Sequence, residues 1–210
     1  MDAFVATAIH DAKNALNALD AWIAEARSEC PSPALARAHE AAGRVSAQLV
    51  ELLTLFRAEQ GSLRLTIDDH DLADFLADVV TELGPPPVGL DIATDFALAA
   101  ESGAWAFDAY QVKFVLLDAL RNALRHARRR VRLSLAAEAG GGIRFTVADD
   151  GAGFPDSVLA DAATAMTPES SGLGLYFARL IAARHATPAG KAGRIELANT
   201  DGAAFSLVLP

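Results

Sequence analysis

Two stretches of apolar residues, spaced alternately by four and three positions, constrain the fold of residues 1–60 more than any other feature. The first stripe is Val5, Ile9, Ala12, Leu16, Leu19, Ile23 and Ala26, and the second is Leu35, Ala38, Ala42, Val45, Leu49, Leu52 and Phe56. This spacing places each stripe on one face of a long helix. Between the stripes, residues 28–33 contain two prolines, neither of which can continue a helix. The pattern therefore predicts an N-terminal antiparallel helical hairpin.

The second stripe is too wide to be buried inside a single hairpin. Val50 and Leu53 extend it beyond the seam that two helices share. Helical hairpins commonly bury such a surface by pairing with a second hairpin in a symmetric dimer. We therefore expect residues 1–60 to be a dimerisation domain that forms a four-helix bundle in a homodimer.

The periodicity of the sequence changes after Gln60 and Gly61, which predicts a second domain over residues 61–210. Strand patterns cover residues 63–67, 90–97, 131–139, 142–149, 194–199 and 204–209, and helix patterns cover residues 71–83, 110–126 and 172–185. Helices interleaved with strands that are mostly joined as hairpins are typical of a mixed sheet with helices on one face. The predicted fold class is thus α+β, with the helical hairpin followed by an α/β sandwich.

Composition excludes several classes of function. The net charge of −9 argues against nonspecific nucleic-acid binding, which needs surplus cations. The one basic cluster, Arg128, Arg129 and Arg130, is interpreted as the solvated end of a helix. The single cysteine, Cys30, allows no disulfide framework and indicates a reducing compartment. No apolar run approaches the roughly 18 residues of a spanning helix, and the acidic start does not resemble a signal peptide. We therefore expect a cytoplasmic protein with no nucleic-acid partner and no membrane insertion.

One histidine lies on the flank of the first apolar stripe. His10 follows the seam residue Ile9, Asp11 is its neighbour, and Asn14 lies one turn further on the same face. An imidazole that acts as a nucleophile needs a group that accepts its proton, and an adjacent carboxylate can do so. A surface histidine on a helix usually has no chemical role, so this arrangement predicts little by itself.

Two segments that contain glycines are placed at predicted strand and helix ends. Asp149-Asp150-Gly151-Ala152-Gly153 ends a predicted strand, and Gly172-Leu173-Gly174 opens a predicted helix. Glycine permits positive φ angles and close approach of a ligand, and the start of a helix favours phosphate. The small, polar residues 156–171 between them are typical of a mobile lid. Either segment alone is more often an ordinary turn.

A third group of polar residues falls on the predicted helix 110–126. Asp118 and Asn122 are one turn apart, and Arg125 with His126 occupies the next turn. The amide oxygen of Asn122 is a possible Mg²⁺ ligand, and Arg125 can neutralise phosphate charge. An ordinary polar helix face explains the same residues when they are considered alone.

Taken together, these segments resemble the conserved boxes of two-component histidine kinases. His-Asp-Ala-Lys-Asn-Ala-Leu at residues 10–16 resembles the phospho-acceptor box, with Ala15 in place of the usual proline. Residues 118–127 resemble the asparagine box, residues 149–153 the first glycine box, and residues 171–175 the second. The last three boxes together resemble the GHKL nucleotide-binding fold that histidine kinases share with Hsp90, gyrase and mismatch-repair ATPases.

The resemblance implies roles in the hairpin and at the nucleotide. By resemblance, His10 is phosphorylated, Asp11 serves as its base, and Asn14 positions the water that dephosphorylates the partner. Asp149 would accept a hydrogen bond from the adenine amino group, and Asn122 would bind Mg²⁺.

The other residues of the boxes are expected at the same site. Those expected to contact the nucleotide are Arg125, His126, Gly151, Gly153, Gly172, Leu173 and Gly174. Asp118 stands where the ATP-hydrolysing relatives carry a glutamate base, and whether it assists proton transfer is left open.

The resemblance implies a kinase core that uses ATP and Mg²⁺ to autophosphorylate His10. The phosphoryl group would pass to an aspartate in the receiver domain of a response regulator, which the core would also dephosphorylate. No sensor region precedes the hairpin, so a separate sensor protein supplies the input or the chain is an excised core. The alternative is a phosphotransferase or adaptor of the same fold that no longer uses ATP, which a short lid would favour. A serine kinase of the anti-sigma type lacks such a hairpin.

Overall fold

The computed structural model describes residues 2–30, 32–96, 103–138, 141–163 and 172–210 of the chain. Within its helices, the side chains of residues 2–11, 13, 17, 20, 27, 40 and 161–163 lie outside this description. The chain divides into two compact units, Met1–Leu63 and Arg64–Pro210. Among the described residues, no helix has both the length and the apolar character to cross a bilayer.

The first unit consists of two long helices in contact with each other, α1 (Asp2–Glu29) and α2 (Pro33–Glu59). Pro33 does not simply break a helix: it is the first residue of α2. Proline suits this position, where its missing N–H has no helical partner. The Ser32 hydroxyl caps the helix by accepting a hydrogen bond from the Leu35 N–H at 3.2 Å.

The described apolar side chains of the first unit are only partly covered. Ala42, Val50 and Leu53 are buried. Exposed large apolar residues occur on both helices: Leu19, Trp22, Val45 and Leu52. Their exposure shows that one copy of this unit does not cover all of its apolar surface, while the pairing of two copies stays a prediction.

The second unit contains two sheets. The larger sheet has five strands in the order β2 (Asp91–Asp95), β4 (Arg130–Ala137), β5 (Ile143–Asp149), β7 (Ala203–Leu209), β6 (Arg194–Asn199). Its β2 and β4 are parallel and its other neighbours are antiparallel. The smaller sheet pairs β1 (Asp68–Asp71) with β3 (Ala104–Phe107) in antiparallel fashion.

The helices of this unit pack on the five-stranded sheet as one layer. They are α3 (Leu72–Leu83), α4 (Ala109–His126), α5 (Asp156–Ala163) and α6 (Leu173–Arg184). Helix α4 contacts β4 and β5, α6 contacts β6 and β7, and α4 also contacts α3 and α6. This two-layer sandwich confirms the predicted α+β class with a mixed sheet and helices on one face.

Aromatic rings fill the space between the two layers. Phe107, Phe145 and Phe177 are almost fully buried. The Phe75 and Phe107 ring centroids are 4.8 Å apart and those of Phe107 and Phe145 are 6.1 Å apart, with both pairs close to perpendicular. Edge-to-face pairs of this kind add stability beyond the buried area. The packed rings anchor α3 and β3 to the central strand β5.

A buried histidine links the end of α6 to the start of α4. The Nε2 atom of His185 accepts a hydrogen bond from the Asp108 N–H at 3.0 Å, and Nδ1 lies 2.8 Å from the Ile181 carbonyl oxygen. The ring is therefore neutral, with its proton on Nδ1 and donated to that oxygen. Burial lowers the pKa of His185 below its usual value, against the opposing effects of the hydrogen bond to Ile181 and of the Asp108 charge. The Asp108 carboxylate in turn accepts hydrogen bonds from the N–H groups of Thr66 and Gln111.

One sequence prediction for this unit is wrong. Residues 63–67 form no strand, and the strand begins only at Asp68 because it pairs with β3, a strand that the sequence analysis did not predict. The Thr66 N–H instead donates to the Asp108 carboxylate at 2.9 Å. The first part of the predicted lid is helix α5, and residues 164–171 lie outside the described residues.

Candidate active site

A cavity of about 490 Å³ lies between α4, the end of β5 and the start of α6. Part of its wall is apolar and includes Val115, Val147, Ala178 and Phe205. The remaining wall carries polar groups from the three segments that the sequence analysis singled out.

Helix α4 places three polar residues along one side of the cavity. Asp118, Asn122 and His126 follow one another at one-turn intervals and all line it. Burial raises the pKa of the Asp118 carboxyl above its usual value, and the positive charges of Arg121 and Arg125 act in the opposite direction. Arg125 itself is exposed and is not part of the lining. The α4 side therefore offers an amide oxygen and a carboxyl that binds a proton more readily than an exposed aspartate does.

The end of β5 places Asp149 in the opposite wall. Its side chain is buried, and Oδ1 accepts a hydrogen bond from the Gly151 N–H at 2.7 Å and a longer one from the Ala203 N–H at 3.4 Å. Among the described residues, none donates a hydrogen bond to Oδ2. Asp149 therefore keeps an acceptor oxygen available to a ligand in the cavity.

The glycines after β5 allow the chain to pass through a narrow space. A side chain on Gly151 would collide with the His126 carbonyl oxygen. Gly153 has a φ of 84°, and a Cβ atom there would lie 2.8 Å from the Asn199 side chain. Gly153 lines the cavity, whereas Gly151 packs behind it.

The second glycine segment opens α6 at the cavity. Gly172, with a φ of 78°, is the N-cap residue and has no side chain that could accept from the helix. Gly172, Gly174 and Leu175 line the cavity, and Leu173 does not. Because the first-turn N–H groups of a helix lack helical partners and carry partial positive charge, this end is suited to an anion.

The groups around the cavity fit a nucleotide with a divalent cation. An acceptor carboxylate and an apolar wall suit a base, and the uncapped end of α6 suits phosphate. Among the described residues, no group of three or more acidic, histidine or cysteine side chains gathers as a metal site. Magnesium is commonly bound through one or two protein side chains together with the substrate's phosphates, and the amide oxygen of Asn122 is a candidate for such a ligand.

The three hairpin residues of interest are all in α1. His10 and Asp11 belong to this helix, but their side chains lie outside the described residues. The Asn14 side chain is exposed. These residues and the cavity are in different units of the chain.

Asp150 is a structural residue of the site that sequence reasoning missed. Its Oδ1 atom accepts hydrogen bonds from the N–H groups of Arg128, Arg129 and Arg130 at 2.8, 3.0 and 3.1 Å. These bonds lower the pKa of Asp150 to about 2. Helix α4 ends at His126, so the three arginines form a corner and the start of β4 rather than the predicted helix end.

Asn199, the last residue of β6, is the second residue that was missed. Its Oδ1 atom accepts from the Phe154 N–H at 2.7 Å, and its Nδ2 atom donates to the Phe154 carbonyl oxygen at 2.9 Å. Its partner is 45 positions away in the sequence, so no local pattern indicates the contact.

Residues 107–210 match the protein family described as histidine kinase-, DNA gyrase B-, and HSP90-like ATPase. All cavity-lining residues fall within this match. The match identifies residues 107–210 as an ATPase domain of the type shared by histidine kinases, DNA gyrase B and HSP90. The comparisons with individual proteins extend the similarity of this ATPase domain to most of the chain.

The signal transduction histidine-protein kinase AfsQ2 of Streptomyces coelicolor is 36% identical over 170 residues. The match covers 77% of this chain and 30% of that protein, so the chain spans less than a third of that relative's length. Together with the family match, this relative confirms the resemblance to histidine kinases that the sequence motifs indicated.

Two solved structures share the fold. The Acinetobacter baumannii histidine kinase AdeS aligns over 92% of this chain and 94% of its own, with a TM-score of 0.63 and 18% identity. Full-length ShkA in complex with AMPPNP aligns over 99% of this chain and 45% of its own, with a TM-score of 0.57 and 20% identity. At these identities the likeness establishes the fold.

Proposed function

We propose that this chain is a two-component histidine kinase core that autophosphorylates His10 from Mg-ATP and passes the phosphoryl group to a receiver aspartate. The observation that carries the proposal is the position of Asn122, Asp149 and the uncapped start of α6 around one cavity. Three separate motifs supply complementary groups for one ligand, which an ordinary turn or polar helix face does not explain.

In this proposal the cavity holds ATP by its base and its phosphates. The Asp149 Oδ2 atom accepts a hydrogen bond from the adenine amino group, and Val147 and Phe205 contact the base. The N–H groups at the start of α6 bind phosphate oxygens, with Arg125 adding positive charge from outside the cavity. Asn122 provides an oxygen for Mg²⁺, which neutralises phosphate charge when bound.

The phosphoryl transfer uses groups from both units. A ring nitrogen of His10 forms a bond to the γ-phosphorus as the bond to the bridging oxygen breaks, which releases ADP. Asp11 accepts the imidazole proton, since a neighbouring carboxylate is a suitable base. Asp118, with its raised pKa, is a candidate second proton carrier. Asn14 orients the water that removes phosphate from the regulator.

The hairpin is proposed to be antiparallel and to form a four-helix bundle with a second copy. The exposure of Trp22 and Leu19 on α1, and of Val45 and Leu52 on α2, supports this association. The bundle would also dock the receiver domain of the response regulator. A sensor protein or a sensor region outside residues 1–210 would supply the input, and the cytoplasm would supply ATP.

The test is incubation of the full chain with γ-labelled ATP and Mg²⁺. We expect acid-labile label on the unaltered chain and none above background on His10→Ala, because the nucleophile is gone. His39→Ala is the matched control, since it removes another hairpin histidine, and it should keep the label.

A titration calorimetry measurement of Mg-ATP binding separates the proposal from its alternative. Binding together with label on His10 supports the kinase. No binding by the unaltered chain would exclude ATP use and leave the relay or adaptor of the same fold.

A further inference from the structure

The side chain of Asn199 pairs with the backbone of Phe154 in the way that two neighbouring strands pair with each other. One side-chain amide satisfies both the N–H and the carbonyl oxygen of Phe154, at 2.7 and 2.9 Å. Backbone groups of neighbouring strands exchange hydrogen bonds in the same reciprocal way. Asn199 is exposed and ends the edge strand β6, so it fastens the loop after β5 to the edge of the sheet.

This loop forms one wall of the cavity. Gly153, Phe154, Pro155 and Val158 all line it. The chain packs so closely here that a side chain on Gly153 would collide with Asn199. Helix α5, which starts directly after Pro155, contacts β6. The Asn199 amide therefore holds the backbone of Phe154, where this wall of the cavity begins.

The residues of this wall and the groups proposed for phosphoryl transfer come from different segments of the chain. Asp118 and Asn122 belong to α4, and the phosphate-binding end belongs to α6. The loop that Asn199 contacts therefore belongs to a different segment from these reacting groups.

We propose that Asn199 is a positioning residue that sets the affinity for ATP by holding the Phe154 wall in its binding conformation. The inference rests on the proposed ATP-binding function. Without the amide, the Phe154 backbone can satisfy its hydrogen bonds with water in other conformations. The apparent dissociation constant then rises by the inverse of the fraction of chains that keep the competent wall.

The experiment compares Asn199→Ala, Asn199→Asp and Thr200→Ala in the full chain. Thr200 is the exposed neighbour, and its side chain makes no hydrogen bond with any described residue. Calorimetry with Mg-ATP gives the dissociation constants, and autophosphorylation kinetics give KM and kcat. Hydrogen exchange of the Phe154 amide reports on the wall without nucleotide.

We expect Asn199→Ala to raise the dissociation constant and KM for ATP about tenfold with kcat within about twofold. Asn199→Asp keeps the acceptor for the Phe154 N–H but loses the donor, so its dissociation constant should be intermediate. Exchange of the Phe154 amide should be faster in Asn199→Ala and unchanged in Thr200→Ala. Far-UV circular dichroism of each variant verifies folding.

Different failures have different meanings. Equal dissociation constants for Asn199→Ala and Thr200→Ala overturn this inference alone, as does a fall in kcat with unchanged KM. If the unaltered chain binds no Mg-ATP, the proposed ATP use fails and this inference fails with it. If Asn199→Ala does not fold, the dissociation constant and KM of Asn199→Asp for ATP are compared with those of Thr200→Ala instead.

Discussion

The two units of the chain differ in how completely they bury their apolar residues. In the second unit Phe107 and Phe145 are completely buried, whereas in the first unit Trp22 is 66% exposed. The described buried positions of α2 even include the polar side chains of Glu51 and Thr54. Both units carry recognisable motifs, but among the described residues it is the second unit, called the ATPase unit here (residues 64–210), that buries a large aromatic core within one copy.

This difference indicates what each unit needs to be complete. The ATPase unit, with its sheet, helix layer and cavity, is stabilised by contacts inside one copy. The first unit, called the helical unit here (residues 1–63), exposes several large apolar side chains, which is expected of a surface that a second copy covers. The predictions below test whether the two units depend on different contacts.

The largest expected effect is from Phe145→Ala in the ATPase unit. Removing a buried ring leaves a cavity between β5, α3 and β3, so the free energy of unfolding should fall by about 3–5 kcal/mol. Urea denaturation measures this change, with the exposed Tyr110→Ala as a control below about 1 kcal/mol. Oligomeric state should not change, and a simultaneous loss of hairpin association would contradict the independence of the two units.

Next in size is Trp22→Glu in the helical unit. If a second hairpin covers Trp22, burying a charge in its place should weaken the homodimer about 100-fold, since each dimer contains two such sites. Sedimentation velocity over a range of concentrations measures the dissociation constant, and Ala21→Glu adds the same charge to an adjacent helix position. If the unaltered chain stays monomeric at all concentrations, no second hairpin covers Trp22 and the proposed homodimer is wrong.

The smallest effect is a pH dependence confined to the ATPase unit. Because burial lowers the pKa of His185, the unfolded chain binds a proton more readily than the folded one. The stabilising contribution is complete above the usual pKa of 6.5 and declines as the pH falls below it. From pH 7 to pH 5.5 the free energy of unfolding should therefore fall more in the unaltered chain than in His185→Gln, which has no imidazole to protonate. Equal pH slopes in denaturant titrations would show that His185 does not titrate this way.

Local signals were enough to predict the elements around the site. Helix α4 was predicted over residues 110–126 and spans Ala109–His126, because its apolar period and its cap at Asp108 are both local. The strands β1 and β3 could not be predicted in the same way. Each has four residues, β1 is mostly aspartate, and their pairing joins segments more than 30 positions apart.

The motifs also indicated which segments surround the cavity, although the roles of their residues stay predictions. Gly151 and Leu173 belong to the boxes but do not line the cavity, since one packs against His126 and the other starts α6 facing elsewhere. Asp150 and Asn199 were missed because each acts through backbone groups that are distant in sequence. Such contacts become visible only once the chain is folded.

The three amides that converge on the Asp150 carboxylate also fix the length of the corner after α4. Consecutive N–H groups can share one oxygen only if the chain turns through a set number of peptide units, so an inserted residue would move at least one of them out of reach. The connection between α3 and β2 is less constrained, since a side chain added at Gly84 or at Gly89 would meet no atom within 4 Å. A label or a grafted segment is therefore better placed there, where extra length leaves the nucleotide cavity undisturbed.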